Sequence, residues 1–108
     1  MTRTRTPIPP HPALTILEFP TPTPSNTLIR TYRHANTSSP LPLFIYMHGG
    51  GFVTGSLDTD ERICRALALA LPVLVVSVEY RLAPEWPFPA GLEDCWEVRK
   101  FTHISKKR

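Results

Sequence analysis

Apolar and polar residues alternate over residues 14–19 and then meet a run of breakers, TPTPSN, a pattern that predicts a short strand followed by a turn. LIRTYR, residues 28–33, alternates again as a half-buried strand does, and HANTSSPLP, residues 34–42, is a loop of turn formers. These two strands are expected to pair antiparallel. The character changes at LFIYM, residues 43–47, an uninterrupted apolar run of strand length. Such a run predicts a strand buried on both faces. It ends in a polar, glycine-rich turn, His48 to Gly51. Ile63, Leu67 and Leu71 then recur at helical spacing, with Asp58 or Thr59 as cap and Pro72 as stop, which predicts a helix within residues 59–71. VLVVSV, residues 73–78, is a second continuous apolar and β-branched run. Strand, glycine turn, helix and strand make a βαβ unit, whose crossover is right-handed in nearly all proteins. YRLAPEWPFPAG follows as a loop fixed by three prolines, and a last helix is expected from Leu92 to about Ile104.

Composition adds limits to this α/β pattern. At 108 residues the chain can bury one modest core and not two. Its 42% hydrophobic and 19% charged residues are globular proportions, but 13 prolines are more than twice the usual share. Pro7, Pro9, Pro10, Pro12, Pro20, Pro22, Pro24 and Pro40 fall in the first forty residues, and residues 1–13 are expected to form a disordered lead-in. The formal charge of +3 resides mainly at the two ends, in Arg3, Arg5, Lys106, Lys107 and Arg108. No basic stripe with interleaved aromatics runs through the middle, so no nucleic-acid partner is expected. Cys64 and Cys95 are too few for a disulfide framework and lack metal-ligand spacing; they read as buried thiols. No apolar run approaches a membrane span and no secretory signal is visible, so the expected compartment is the cytoplasm.

The chemistry is concentrated in His48, Gly49, Gly50 and Gly51, at the carboxyl end of an apolar strand, where ligand sites lie in α/β sheets. Consecutive glycines turn tightly and bring N–H groups close to a reacting atom, because no Cβ intervenes. Two such groups aimed at one point stabilise the oxyanion formed when a carbonyl is attacked. A rival reading takes Gly49, Gly51 and Gly55 as a loose dinucleotide-binding loop of the Rossmann type, with Glu79 on the ribose. The third glycine stands one place too late for that motif.

HGGGF is followed by GSLDTD at 55–60, VVSVEYRLAPE at 75–85 and FPAGLED at 88–94. In order and spacing this series resembles the hormone-sensitive-lipase-like, fold-3 branch of the α/β-hydrolase carboxylesterases, the relatives of arylacetamide deacetylase, over residues 28–97. The resemblance implies an α/β fold that is the N-terminal part of an α/β-hydrolase sheet: two antiparallel strands, a βαβ unit and a terminal helix, incomplete over residues 14–108. It implies an oxyanion hole built from the N–H groups of Gly49 and Gly50, with Gly51 as permissive backbone. His48 either orders that loop by hydrogen bonds or is a turn residue with no part in catalysis. Tyr80 to Glu85 would be scaffold, with an Arg81 to Glu85 ion pair expected.

The same resemblance implies a serine nucleophile on a G-x-S-x-G elbow, then an acid and a histidine. The sequence contains no G-x-S-x-G, and in the family the elbow follows the helix that here begins near Leu92. Asp58, Asp60, Asp94 and His103 are therefore read as caps, surface groups or structural acids and bases. The expected function is hydrolysis of a small carboxylic ester or aryl amide with no cofactor and no metal, by a complete version of the protein. The chain alone is expected to be inactive, with a non-catalytic truncated product or interaction fragment as the alternative. In that fold the strand at 43–47 lies beside the nucleophile strand, so its edge would be open and prone to self-association. The two helices would lie on opposite sheet faces, which separates Cys64 from Cys95.

Overall fold

In the computed structural model the backbone is described for residues 9–37, 40–50 and 55–106, and side chains as far as residue 101. Strands β1 (Leu14–Pro20) and β2 (Leu28–His34) pair antiparallel from Leu14 opposite His34 to Pro20 opposite Leu28. The turn between them is held by Thr21, whose N–H and hydroxyl both donate to the Thr27 carbonyl, at 2.9 and 2.7 Å. β3 (Leu43–Met47), helix α1 (Glu61–Ala70) and β4 (Leu74–Glu79) form the βαβ unit, and β3 and β4 are parallel. β4 also pairs antiparallel with β2, so the sheet order is β1-β2-β4-β3. Helix α2 (Ala90–Lys106) begins two residues before the position expected, because the Ala90 and Glu93 N–H groups already donate to Pro87 and Pro89 carbonyls.

The two helices cover opposite faces. Ile29, Val76, Val78, Tyr80, Leu82, Cys95 and Val98 form the core under α2, and Leu14, Tyr32, Cys64, Ala68 and Val75 form the core under α1. Val75, Val76 and Val78 are fully buried. Each such valine contributes ~1.5–3 kcal/mol relative to exposure, so β4 anchors both cores. Cys64 and Cys95 are buried free thiols on either side of it. Among the described residues no helix is long and apolar enough to cross a membrane.

One expectation from the pattern needs correction. β3 is not buried on both faces: Phe44 is 38% and Met47 48% exposed, because β3 lies at the sheet edge with one neighbour. Of the helically spaced Ile63, Leu67 and Leu71, only Leu67 packs against the core. Ile63 and Leu71 are nearly half exposed, while Cys64 and Ala68 are buried. The cause is polar. Arg30 projects from β2, only 1% exposed, and its guanidinium meets Glu18 at 2.7 Å, Asp58 at 3.1 Å and Glu61 at 3.0 Å. The Tyr32 hydroxyl also donates to Glu61. Drawing Glu61 onto the sheet rotates α1 so that the small residues Cys64 and Ala68, one and two turns on, face β4.

Candidate functional site

Because β3 and β4 are parallel with Met47 opposite Val78, both release their chains at the same edge of the sheet. His48 follows β3, and Tyr80 follows β4. The His48 ring stacks on the Tyr80 ring with centroids 4.1 Å apart and planes 12° from parallel. Such ring pairs are worth ~0.5–1.5 kcal/mol beyond their buried area. The Tyr80 hydroxyl donates to the His48 carbonyl at 2.6 Å. His48, 3% exposed, is thus wedged between its own turn and the strand beside it.

The glycines continue from this clamp. The Gly49 N–H donates to Asp60 Oδ2 at 3.0 Å, and the Gly49 carbonyl lies 3.0 Å from His48 Nδ1. A carbonyl can only accept, so that bond needs the imidazole proton on Nδ1. Gly50 has φ +130°, a backbone state that side chains disfavour. Gly55, at φ +104°, returns against the loop so closely that a Cβ there would lie 2.5 Å from His48 Nδ1 and 2.6 Å from the Gly49 carbonyl. Gly51, named from sequence as permissive backbone, lies outside the described residues.

Asp60 occupies the N-cap position of α1 yet makes no side-chain capping bond. A capping aspartate is typically worth ~1 kcal/mol to a helix, so its carboxylate has been diverted from the ordinary use of that position. Asp58 and Thr59, the caps expected from sequence, lie two places and one place early. Asp58 is engaged by Arg30, and Thr59 Oγ1 accepts the Ser56 N–H at 2.8 Å, tightening the turn that presents Asp60. The phenol of Tyr46 is held above its ordinary range by burial first and then by hydrogen bonding to Asp60.

A second buried acid supports the Tyr80 side. Asp94, 1% exposed, accepts the Arg81 backbone N–H at 2.7 Å and meets the Arg81 guanidinium at 2.9 Å; Ser25 Oγ donates to it at 3.0 Å. Arg81 also lies over the Trp86 ring, 5.2 Å from its centroid. The partner to which Arg81 commits its charge is therefore Asp94, not the Glu85 expected from spacing. Asp94 thus ties the end of β4 and the turn before β2 to α2. The side chain of His103 lies outside the described residues.

A family model described as alpha/beta hydrolase fold matches residues 44–107. The chain is 52% identical over 60 residues to Esterase LipI of Mycobacterium tuberculosis, covering 56% of this chain and 19% of that protein. It is 47% identical over 73 residues to Carboxylesterase NlhH of the same organism, covering 68% of this chain and 23% of that one. Among solved structures, a bacterial heroin esterase superposes with TM-score 0.79 at 32% identity, over 86% of this chain and 30% of its own. A Pyrobaculum calidifontis esterase superposes with TM-score 0.74 at 38% identity, over 88% and 30%. The chain spans about a fifth of the length of these curated relatives. With strands, glycine turn and matched residues in agreement, the chain belongs to the alpha/beta hydrolase fold family.

Proposed function

We propose that this chain supplies the oxyanion-hole loop, and the sheet that carries it, to a serine hydrolase of small carboxylic esters or aryl amides. The observation that carries the reading is the glycine turn at the shared carboxyl end of β3 and β4, in which Gly50, at φ +130°, follows a peptide held on both sides. The relatives named as esterases support it. In this reading a serine attacks the ester carbonyl and the carbonyl oxygen becomes an oxyanion. A backbone N–H of the glycine turn stabilises that oxygen while the alcohol leaves, and water then releases the acid from the acyl-serine. His48 orders the turn through its stacked ring and its Nδ1–H bond to the Gly49 carbonyl, and the general base is a different histidine. The serine, acid and general-base histidine are supplied from outside these 108 residues, and the exposed edge of β3 is the seam that joins them. In the chain alone that edge drives self-association.

The test is hydrolysis of a short-chain chromogenic ester by two proteins: the 108-residue chain, and the same chain fused to the part of Carboxylesterase NlhH that follows its matched segment. No turnover by the first and turnover by the second is the expected result. A soluble, folded fusion without activity, or turnover by the chain alone, overturns the reading.

A further inference from the structure

Two consecutive peptide units of the glycine turn are fixed by side chains from different elements. In the unit joining His48 to Gly49, the carbonyl accepts from Tyr80 at 2.6 Å and the N–H donates to Asp60 at 3.0 Å. A trans peptide is planar with its C=O and N–H pointing in opposite directions, so partners at both ends leave the plane no freedom to rotate. In the next unit the Gly49 carbonyl is turned towards His48 Nδ1. By the same planarity the Gly50 N–H points away from the His48 ring. Tyr80 comes from the end of β4 and Asp60 from the start of α1, so the turn is tied to two rigid elements and not merely to its own loop. An ionised carboxylate facing the Gly49 N–H also makes that group unsuitable for a second anion, because charge-assisted bonds are the strong ones and like charges repel.

We propose that Asp60 is a positioning residue: it removes Gly49 from the set of oxyanion donors and, with Tyr80, fixes the peptide plane that aims the Gly50 N–H. This rests on the oxyanion-hole reading for its consequence in catalysis, but its geometry can be tested without turnover.

In amide-detected NMR of the 108-residue chain, the Gly49 amide is expected to shift with pH in step with the Asp60 side-chain carboxyl carbon. In Asp60→Ala, which removes the acceptor of the Gly49 N–H, that step disappears and the Gly50 amide exchanges at least about tenfold faster, while Val76 and Val78 keep their protection. In the fused hydrolase described above, the same substitution is expected to lower kcat by about tenfold or more with KM little changed, the pattern of an interaction felt in the transition state. A Gly49 amide that ignores the Asp60 titration, a Gly50 amide unchanged in Asp60→Ala, or an unchanged kcat overturns the proposal. Should Asp60→Ala fail to fold, the wild-type titration alone decides. An inactive wild-type fusion whose Gly49 still follows Asp60 defeats the hydrolase reading and leaves the positioning geometry standing.

Discussion

β3 and β4 read almost alike, LFIYM against LVVSVE, yet one is half exposed along its length and the other has four consecutive buried residues. The difference is neighbours. β4 has a strand on each side and a helix on each face, whereas β3 pairs only with β4. A continuous apolar run thus marks a strand that could be central, and only the sheet order says which of two such strands is. The difference also divides labour at the site: the exposed strand ends in the glycine turn, and the buried one ends in the tyrosine that clamps it.

Substitutions on the two strands should separate sharply. Val76→Asp places an unpaired charge in the centre of β4, at a cost of several kcal/mol, and should leave the chain unfolded by circular dichroism. The thiols flanking β4 report its burial through pH. Burial pushes the Cys64 thiol up to about 11 and, with the Asp94 charge adding to it, the Cys95 thiol up to about 12, from an ordinary value of 9.0. Raised values mean that the neutral thiols stabilise the folded state below pH 9 and that this contribution is lost as pH rises through the folded values. Urea midpoints should therefore fall steadily from pH 9 upward, and more shallowly when both cysteines are replaced by alanine. Gly55→Ala forces a side chain against His48 and the Gly49 carbonyl at positive φ; a loss of ~1–3 kcal/mol is expected in urea unfolding. Tyr80→Phe leaves the His48 carbonyl without its donor and should cost ~1–2 kcal/mol by the same measurement. Met47→Lys, on the exposed edge strand, should change stability by no more than ~0.5 kcal/mol while shifting the chain towards monomer in light scattering.

The element order and nearly every boundary could be read from the chain because the signals are local: alternation in β1 and β2, continuous apolar runs in β3 and β4, glycine and proline at the breaks. What could not be read depends on contacts between distant residues. The rotation of α1 is set by Arg30 and Tyr32, about thirty residues before Glu61, and helical spacing within α1 carries no trace of them. The partner of Arg81 is a carboxylate one loop and a helical turn away, which spacing along YRLAPE does not reveal. At the site, HGGG was visible at once, since tandem glycines after a strand have few other uses. Asp60 was not. Its signal was available only as an aspartate immediately before a helix, and that position ordinarily means a cap; the broken capping rule appears only in the structure.

The most direct test of the account is the Gly50→Pro variant of the fused hydrolase, because proline removes the backbone donor and cannot adopt φ +130°. Losing one oxyanion donor is expected to lower kcat by about 10²–10³-fold with KM little changed, while the forced change of φ lowers the thermal midpoint of the still-folded fusion by a few degrees. A kcat within about threefold of the unsubstituted fusion, a difference below ~1 kcal/mol, would contradict the assignment of this turn to the oxyanion hole.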